Sequence, residues 1–142
     1  MSEATAGGRP LVGLVLASHS RAVAEGAAEL ARQMAGPDVR IEPAGGAIDG
    51  SLGTDATRIA AAIEAADAGA GVVVLADLGS AVLATRTALD LLGPERAARV
   101  RLSRGPLVEG AVIAAVQAAI GDPLDAVVAA ADGAAGLDKL GG

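Results

Sequence analysis

The sequence predicts an α/β fold of three layers, in which a central, mostly parallel sheet is covered by helices on both faces. Two observations predict it. Short apolar runs typical of strands alternate with longer amphipathic segments, and strands separated by helices of this length form parallel sheets. Residues 71–76 (GVVVLA) are also uniformly apolar, which is typical of a strand buried on both sides. We expect the strand order second, first, third, fourth.

The predicted elements follow one another closely along the chain. The strand-like runs cover residues 11–17, 39–44, 71–76 and 99–103. Helical patterns cover residues 20–34, 54–67, 80–92, 106–120 and 123–132.

Residues typical of helix ends flank these segments. Thr54 and Ser80 are predicted N-caps of the second and third helices. Prolines stand where first-turn prolines are favoured, with an aspartate before the second of them as a cap, and glycines follow four of the helical patterns. These residues are Pro106, Pro123 and Asp122, and Gly36, Gly93, Gly121 and Gly133.

The 142 residues are a single-domain length, enough for one hydrophobic core. We expect a domain over residues 10–133, a disordered N-terminal tail over residues 1–9 and a flexible C-terminal tail over residues 134–142. The composition is 52% apolar without any aromatic residue, so the core must consist of Ala, Val, Leu and Ile. Small side chains each bury a modest area, at roughly 25 cal/mol per Å², which favours further burial in a homo-oligomer.

Charge and residue usage exclude several classes of function. The formal net charge of −6 disfavours nucleic acid and anionic membrane surfaces as partners. No segment reaches the roughly 18 apolar residues of a spanning helix, and the N-terminus lacks a signal-peptide core. One histidine and no cysteine make a metal site unexpected and are compatible with a cytoplasmic location.

His19 is the candidate nucleophile. It stands where the first strand passes into the first helix, and the carboxyl edge of a parallel sheet is where α/β proteins usually bind ligands. A neutral imidazole can accept a phosphoryl group and pass it on, and the free amides of a helix N-terminus favour an anion. The other interpretation, that His19 caps the helix or bonds a carbonyl, stays open at this point.

Asp77 ends the third strand, which neighbours the first in the expected strand order. Both residues would then lie at the point where the connections diverge to opposite faces of the sheet. A carboxylate bonded to one ring nitrogen would fix the tautomer and orient the imidazole. Alternatively, Asp77 caps the third helix.

Four hydroxyl side chains near this edge are candidates for binding a phosphoryl group: Ser18, Ser20, Thr54 and Ser80. For Ser18 and Ser20 the alternative is N-capping, and for Thr54 it is a flexible loop followed by a helix cap. The glycine-rich residues 45–55 lack the lysine of a Walker loop and do not follow the first strand, so neither nucleotide-binding motif fits.

Two further features have ordinary explanations. Glu109 stands in the first turn of the fourth predicted helix, where the helix dipole favours an acid, and a catalytic role for it is a minor alternative. A hydrolytic triad would need His19 as its base, but the chain contains no GxSxG motif.

Five runs in this order and spacing resemble a known family: residues 15–20 (VLASHS), 24–26 (AEG), 53–55 (GTD), 77–81 (DLGSA) and 106–110 (PLVEG). The chain resembles the DhaM family, the phosphotransferase subunits of phosphoenolpyruvate-dependent dihydroxyacetone kinases. Their domain is similar to the mannose-type IIA domains of the sugar phosphotransferase system. The resemblance covers roughly residues 10–133.

The resemblance implies a mannose-type IIA fold, with four parallel strands, an added antiparallel edge strand and commonly a homodimer. It implies that His19 accepts a phosphoryl group from the carrier HPr and that Asp77 is the acidic residue beside it. The phosphoryl group would pass to ADP on the partner subunit DhaL, regenerating ATP for phosphorylation of dihydroxyacetone on DhaK. No cofactor would bind this chain directly, since the nucleotide and Mg²⁺ belong to DhaL.

The chain departs from the family in two respects. Some DhaM proteins continue into HPr-like and enzyme-I-like domains, so we expect a separate HPr here. Arg104 stands where small residues are common in the family, which affects the expected details of partner docking. The alternatives are a IIA component of a mannose-type sugar transporter, with the same chemistry and another acceptor, and a non-catalytic flavodoxin-like regulatory or binding module.

Overall fold

The computed structural model of the protein describes residues 5, 6 and 8–141. Four strands form the central sheet, and two shorter ones precede it. The strands are β1 (Thr5–Ala6), β2 (Arg9–Pro10), β3 (Gly13–Ser18), β4 (Ile41–Gly45), β5 (Val72–Ala76) and β6 (Val100–Leu102).

The central sheet is parallel throughout, in the order β4-β3-β5-β6. The α/β class and the predicted order of the four main strands are confirmed. The added antiparallel edge strand is not: within the described residues, the antiparallel pair β1–β2 forms a separate two-stranded sheet.

Helices connect these strands and cover both faces. They are α1 (Arg21–Ala35), α2 (Ala56–Ala66), α3 (Gly79–Leu92), α4 (Pro94–Ala97), α5 (Leu107–Ala119) and α6 (Leu124–Gly133), followed by a 3-10 turn (Ala134–Gly136). The short helix α4 is absent from the sequence prediction, because its Gly93-Pro94 start reads as the end of the preceding helix.

The core has two halves, one on each face of the sheet. Successive side chains of a strand point to opposite faces, so Leu14 and Leu16 pack against α1, α5 and α6, whereas Val15 and Ala17 pack against α2 and α3. Alanines on the buried helix faces let the helices lie close to the sheet. This arrangement leaves the loops after the strands free at the carboxyl edge.

The structure corrects several predicted helix starts. Helix α2 begins at Ala56 with Asp55 as its N-cap, since the Asp55 carboxylate accepts from the Thr57 amide; Thr54 is not the cap. Helix α3 begins at Gly79 without a side-chain cap, so Ser80 lies inside its first turn.

The prolines also lie one position earlier than predicted. Pro106 and Pro123 are themselves the N-cap residues of α5 and α6, neither with a side-chain cap, so Asp122 is not the cap of α6. At the C-terminal ends, Gly36 and Gly93 terminate their helices as predicted. Gly133 instead lies within α6.

Part of each predicted tail belongs to the described structure. Of the N-terminal segment 1–9, residues 1–4 and 7 lie outside the described residues, and Thr5–Ala6 pairs with Arg9–Pro10. Of the segment 134–142, Ala134 is buried and Lys139 forms an ion pair with Glu109, while residue 142 lies outside the described range. Among the described helices, none has the length and apolar character required to span a membrane.

Candidate functional site

The loops after β3 and β5 bring His19 and Asp77 together. The two strands are direct neighbours, with Ala17 opposite Ala76, and the Asp77 amide continues the ladder by donating to the Ala17 carbonyl at 3.1 Å. Both side chains therefore leave the sheet at the same level. Sequence reasoning placed these residues at one edge, and the structure puts them in direct contact.

A close approach on the other side of β3 helps to hold the His19 loop. A Cβ atom at Gly45 would collide with the Ser20 carbonyl oxygen and come within 2.9 Å of the Arg21 Cα atom. Gly45 thus allows the end of β4 to lie against the start of α1. The Gly46 and Gly53 amides donate to the Ser18 and His19 carbonyl oxygens at 3.1 and 2.9 Å.

The Asp77 carboxylate is surrounded by hydrogen-bond donors. Its Oδ2 accepts from the Ser18 hydroxyl at 2.7 Å and from the His19 amide at 3.1 Å. Its Oδ1 accepts from the Leu78 amide at 2.8 Å and lies 3.0 Å from His19 Nδ1. Four donors in this geometry hold the carboxylate in one orientation.

These contacts favour the charged form of Asp77. Partial burial raises the pKa of Asp77, but the hydrogen bonds from Ser18, from the His19 ring and from the two amides lower it by more. The resulting pKa is below the usual value of 3.8. Asp77 is therefore an anion at neutral pH and acts as an acceptor only.

The charge on Asp77 determines which ring nitrogen of His19 carries the proton. Since the carboxylate can only accept, the nitrogen facing it, Nδ1, must be the N–H donor. In a neutral imidazole, Nε2 then holds the free lone pair. The Ser80 hydroxyl contacts Nε2 from the first turn of α3 and donates to it in this tautomer.

The imidazole is constrained but accessible. The His19 side chain is 26% exposed and that of Asp77 19% exposed, so the ring is not closed off from solvent. Nδ1 faces the protein, whereas Nε2 meets a single hydroxyl that can rotate about its own χ1. In this tautomer the lone pair of Nε2 is the one that an incoming electrophile could meet.

The other hydroxyl candidates occupy different positions. Ser18 is 1% exposed and its oxygen also accepts from the Ser20 amide at 3.0 Å, so it supports Asp77. The Ser20 hydroxyl caps α1 by accepting from the Val23 amide at 3.2 Å, as the alternative interpretation held. Thr54 is half-buried and follows Gly53, whose amide binds the His19 carbonyl.

A cavity of about 590 Å³ opens beside Asp77. Arg104, Glu109 and Lys139 are among its lining residues. Glu109 stands in the first turn of α5, as predicted, and its ion pair with Lys139 at 2.5 Å lowers the pKa of the Glu109 carboxyl. Lys139 escaped sequence analysis because its segment reads as a flexible tail.

Sequence analysis also missed the Gly53 amide and the Ser80 contact with the ring. A backbone amide carries no sequence signal, and Ser80 has the composition of an ordinary cap. Among the described residues, no group of three or more His, Asp or Glu side chains is arranged to hold a metal ion.

Comparisons with known proteins identify the family of the chain. The family model EIIA-man, described as the PTS system fructose IIA component, matches residues 13–128. The chain is 47% identical over 121 residues to the phosphoryl donor subunit DhaM of the PEP-dependent dihydroxyacetone kinase of Escherichia coli. That match covers 83% of this chain but only 26% of the relative, so the chain spans about a quarter of that protein's length.

Shorter relatives match along most of their length. The phosphoryl donor subunit DhaM of PEP-dependent dihydroxyacetone kinase 2 of Listeria innocua is 38% identical over 118 residues, covering 83% of this chain and 94% of the relative. The crystal structure of EF1359, a protein described as of unknown function, superposes with a TM-score of 0.81 at 37% identity, covering 91% of this chain and 98% of that one. The chain belongs to the EIIA-man family, and its relatives there are phosphoryl donor subunits of dihydroxyacetone kinases.

Proposed function

We propose that this chain is a phosphoryl carrier of a PEP-dependent dihydroxyacetone kinase, which accepts a phosphoryl group on Nε2 of His19 and passes it on. The observation that supports this most is the contact of Asp77 with Nδ1, because it leaves a lone pair on Nε2 at a partly exposed edge. The names of the relatives supply the reaction class.

In the proposed first step, Nε2 attacks the phosphorus atom held by the donor, HPr. The bond between phosphorus and the donor breaks as the Nε2–P bond forms, and the ring becomes positively charged while Nδ1 keeps its proton. Asp77, already ionised, stabilises that positive charge without moving. The Ser80 hydroxyl must rotate away from Nε2 and can then donate to a phosphoryl oxygen.

In the proposed second step, a terminal phosphate oxygen of ADP on the DhaL subunit attacks phosphorus. The Nε2–P bond breaks, the lone pair returns to Nε2, and ATP forms on DhaL for use on DhaK-bound dihydroxyacetone. Mg²⁺ and the nucleotide stay with DhaL. Thr54 and Ser80 are the proposed hydroxyl contacts for the phosphoryl group at this edge, with Ser18 and Ser20 acting through Asp77 and the cap of α1.

A labelling experiment tests the proposal. The chain is incubated with enzyme I, HPr and ³²P-labelled phosphoenolpyruvate, and we expect one label per chain that is stable in alkali and labile in acid. His19→Ala should take up no label, while Ser20→Ala serves as a matched control that alters the same loop but leaves Nε2 in place. Label on His19→Ala would disprove the assignment.

The acceptor is tested in the second half of the same experiment. The labelled chain is mixed either with DhaL and DhaK, or with a IIB domain of a mannose-type transporter. Rapid loss of label to the first pair supports the kinase, and transfer only to the IIB domain would assign the chain to a transporter. Full activity of His19→Gln in the assembled system would instead support a non-catalytic module.

We also propose a homodimer, as the family resemblance implies. The exposed large apolar side chains Leu83 and Leu91, both on α3, provide surface for such an interface. Sedimentation equilibrium should give twice the chain mass of 13.6 kDa, and a monomer at 100 μM, a concentration of about 10⁻⁴ M where even weak dimers form, would rule it out.

A further inference from the structure

Arg58 is a charged side chain with no role in the site described above. It is the third residue of α2 and is half-buried, and its Nε atom is buried without a hydrogen-bond partner. Within the described part of the chain, Arg58 also has no ion pair. A buried donor on a permanently charged guanidinium is unfavourable when it has no acceptor.

The position of Arg58 along its helix is unfavourable as well. The N-terminal turn of a helix carries the positive end of the dipole, which favours acids and disfavours cations. Asp55, the N-cap, uses its side chain to accept from the Thr57 amide. Arg58 thus conflicts with two local preferences, and conflicts of this kind are concentrated at functional sites.

The topology places the start of α2 at the His19 edge. Helices α2 and α3 pack on the same face of the sheet and against each other. Gly53, just before α2, donates to the His19 carbonyl, and Ser80 in the first turn of α3 contacts Nε2. Long side chains in helices lean towards the helix N-terminus, so we expect the Arg58 side chain to lean towards the carboxyl edge of the sheet, where α2 begins.

We infer that Arg58 binds the oxygens of the phosphoryl group carried on Nε2, an inference that rests on the proposed function. The phosphoryl group is an anion. The unphosphorylated site offers the Arg58 Nε atom no acceptor. A guanidinium donates two parallel hydrogen bonds to such an anion. The missing acceptor of Nε is then present in the phosphorylated state and absent in the free state.

The role is electrostatic and adds no bond change to the transfer. The Nε2–P bond breaks and the bond from phosphorus to the acceptor oxygen forms, while Arg58 keeps all its protons. Arg58 holds the phosphoryl oxygens as their charge is redistributed in the transition state. It also slows attack by water on the phosphorylated chain by restricting the approach to phosphorus.

Two variants and one control test the inference. Arg58→Met keeps an unbranched stem and removes the charge, and Arg58→Lys keeps the charge without the planar fork. Arg86→Met removes the same charge from an exposed position on α3. Transfer from phospho-HPr to the chain, and from the chain to DhaL, is measured by quenched flow.

We expect Arg58→Met to slow transfer about 10²-fold, the scale for losing one preorganised donor. The midpoint of thermal unfolding should stay within about 3 °C of that of the unaltered chain. Arg58→Lys should recover more than half of the lost rate on a logarithmic scale, and Arg86→Met should behave as the unaltered chain. Equal rates for Arg58→Met and Arg86→Met would overturn the inference.

A measurement without any partner protein separates the inference from the proposed function. Phosphoramidate, a small chemical donor, is used to phosphorylate His19, and ³¹P NMR follows the chemical shift against pH and the rate of hydrolysis. Arg58→Met should change both, and Arg58→Lys should change them less. If HPr fails to label the unaltered chain but this pattern appears, the proposed function fails and the inference stands. If HPr labels the chain but Arg58→Met shows the unaltered titration and hydrolysis rate, the inference fails alone.

Discussion

Replacing Asp77 by asparagine should disable the site while leaving the fold intact. The amide has the shape of the carboxylate but one of its two acceptors becomes a donor. At Asp77 both oxygens face donors: Ser18 and the His19 amide on one side, the His19 ring and the Leu78 amide on the other. Either orientation of the asparagine amide therefore points an NH₂ group at an N–H donor.

The two orientations fail in different ways. With its oxygen facing the Ser18 hydroxyl, the NH₂ group faces Nδ1 and forces the proton onto Nε2, which removes the nucleophilic lone pair. With its oxygen facing Nδ1, the His19 amide loses its acceptor and the ring loses its negative partner. Hydrogen bonds to a charged group are worth roughly 1.5–3 kcal/mol each, so losing two of them costs about 3–6 kcal/mol. Each 1.36 kcal/mol is tenfold in rate, and we expect transfer to slow by about 10²- to 10⁴-fold.

Two assays check this prediction. Quenched-flow labelling with phospho-HPr measures the rate for the unaltered chain, Asp77→Asn and Asp77→Ala, which should fold yet transfer slowly. Because the chain has one histidine, ¹⁵N NMR of the ring reports its tautomer without assignment. A rate for Asp77→Asn within twofold of the unaltered chain, or a proton on Nε2 in the unaltered chain, would refute the reasoning.

Three further predictions concern stability. Ser18→Ala leaves Asp77 and the Ser20 amide each without one partner in a buried position, and should lower the free energy of unfolding by about 1–3 kcal/mol in urea titrations; an unchanged midpoint would contradict the network. Asp77 has a lowered pKa in the folded chain, so its contribution to stability is present above its usual value of 3.8 and is lost as pH falls through the folded pKa. As pH falls below 3.8, the thermal midpoint of Asp77→Asn should therefore fall less steeply than that of the unaltered chain. Parallel slopes for the two chains would argue against this contribution of Asp77. Leu75→Ala creates a cavity at a fully buried position and should cost about 2–5 kcal/mol; a loss under about 1 kcal/mol would mean that the core collapses around the gap.

The arrangement of the main strands was predictable because it depends on pattern alone. A uniformly apolar run such as residues 71–76 is typical of a strand covered on both faces, and the order with the first strand between the second and the third is that of doubly wound sheets. That order is enough to place Asp77 beside His19 from the sequence. The short antiparallel pair β1–β2 left no comparable pattern, since two-residue strands carry no periodicity.

The details of the site were not predictable, because they depend on competition between neighbouring groups. Thr54 and Asp55 are both good N-cap residues; the Gly53 amide is held by the His19 carbonyl, and the helix then begins after Asp55. Ser80 has the propensity of a cap, but α3 begins one residue earlier and turns its hydroxyl towards Nε2. At α2 the local preferences of two adjacent residues compete and Asp55 is the cap, whereas at Ser80 a tertiary contact takes the place of a local preference of about 1 kcal/mol.

The proposed choice of Nε2 as the reactive nitrogen follows the same logic at the level of single atoms. Nothing in the residues 15–20 distinguishes Nδ1 from Nε2, since the distinction needs the position of a carboxylate 58 positions away in the chain. Once Asp77 is fixed by Ser18 and two amides, the ring is held on one side by a rigid charged acceptor and on the other by a hydroxyl that can rotate. The proposed carrier role requires this asymmetry, because a group that arrives and leaves many times would then displace Ser80 without moving the imidazole. The imidazole should therefore have the same orientation in the phosphorylated and the unphosphorylated chain. If the ring rotated on phosphorylation, Asp77 would not be its rigid support, and the proposed roles of Asp77 and Ser80 would have to be exchanged.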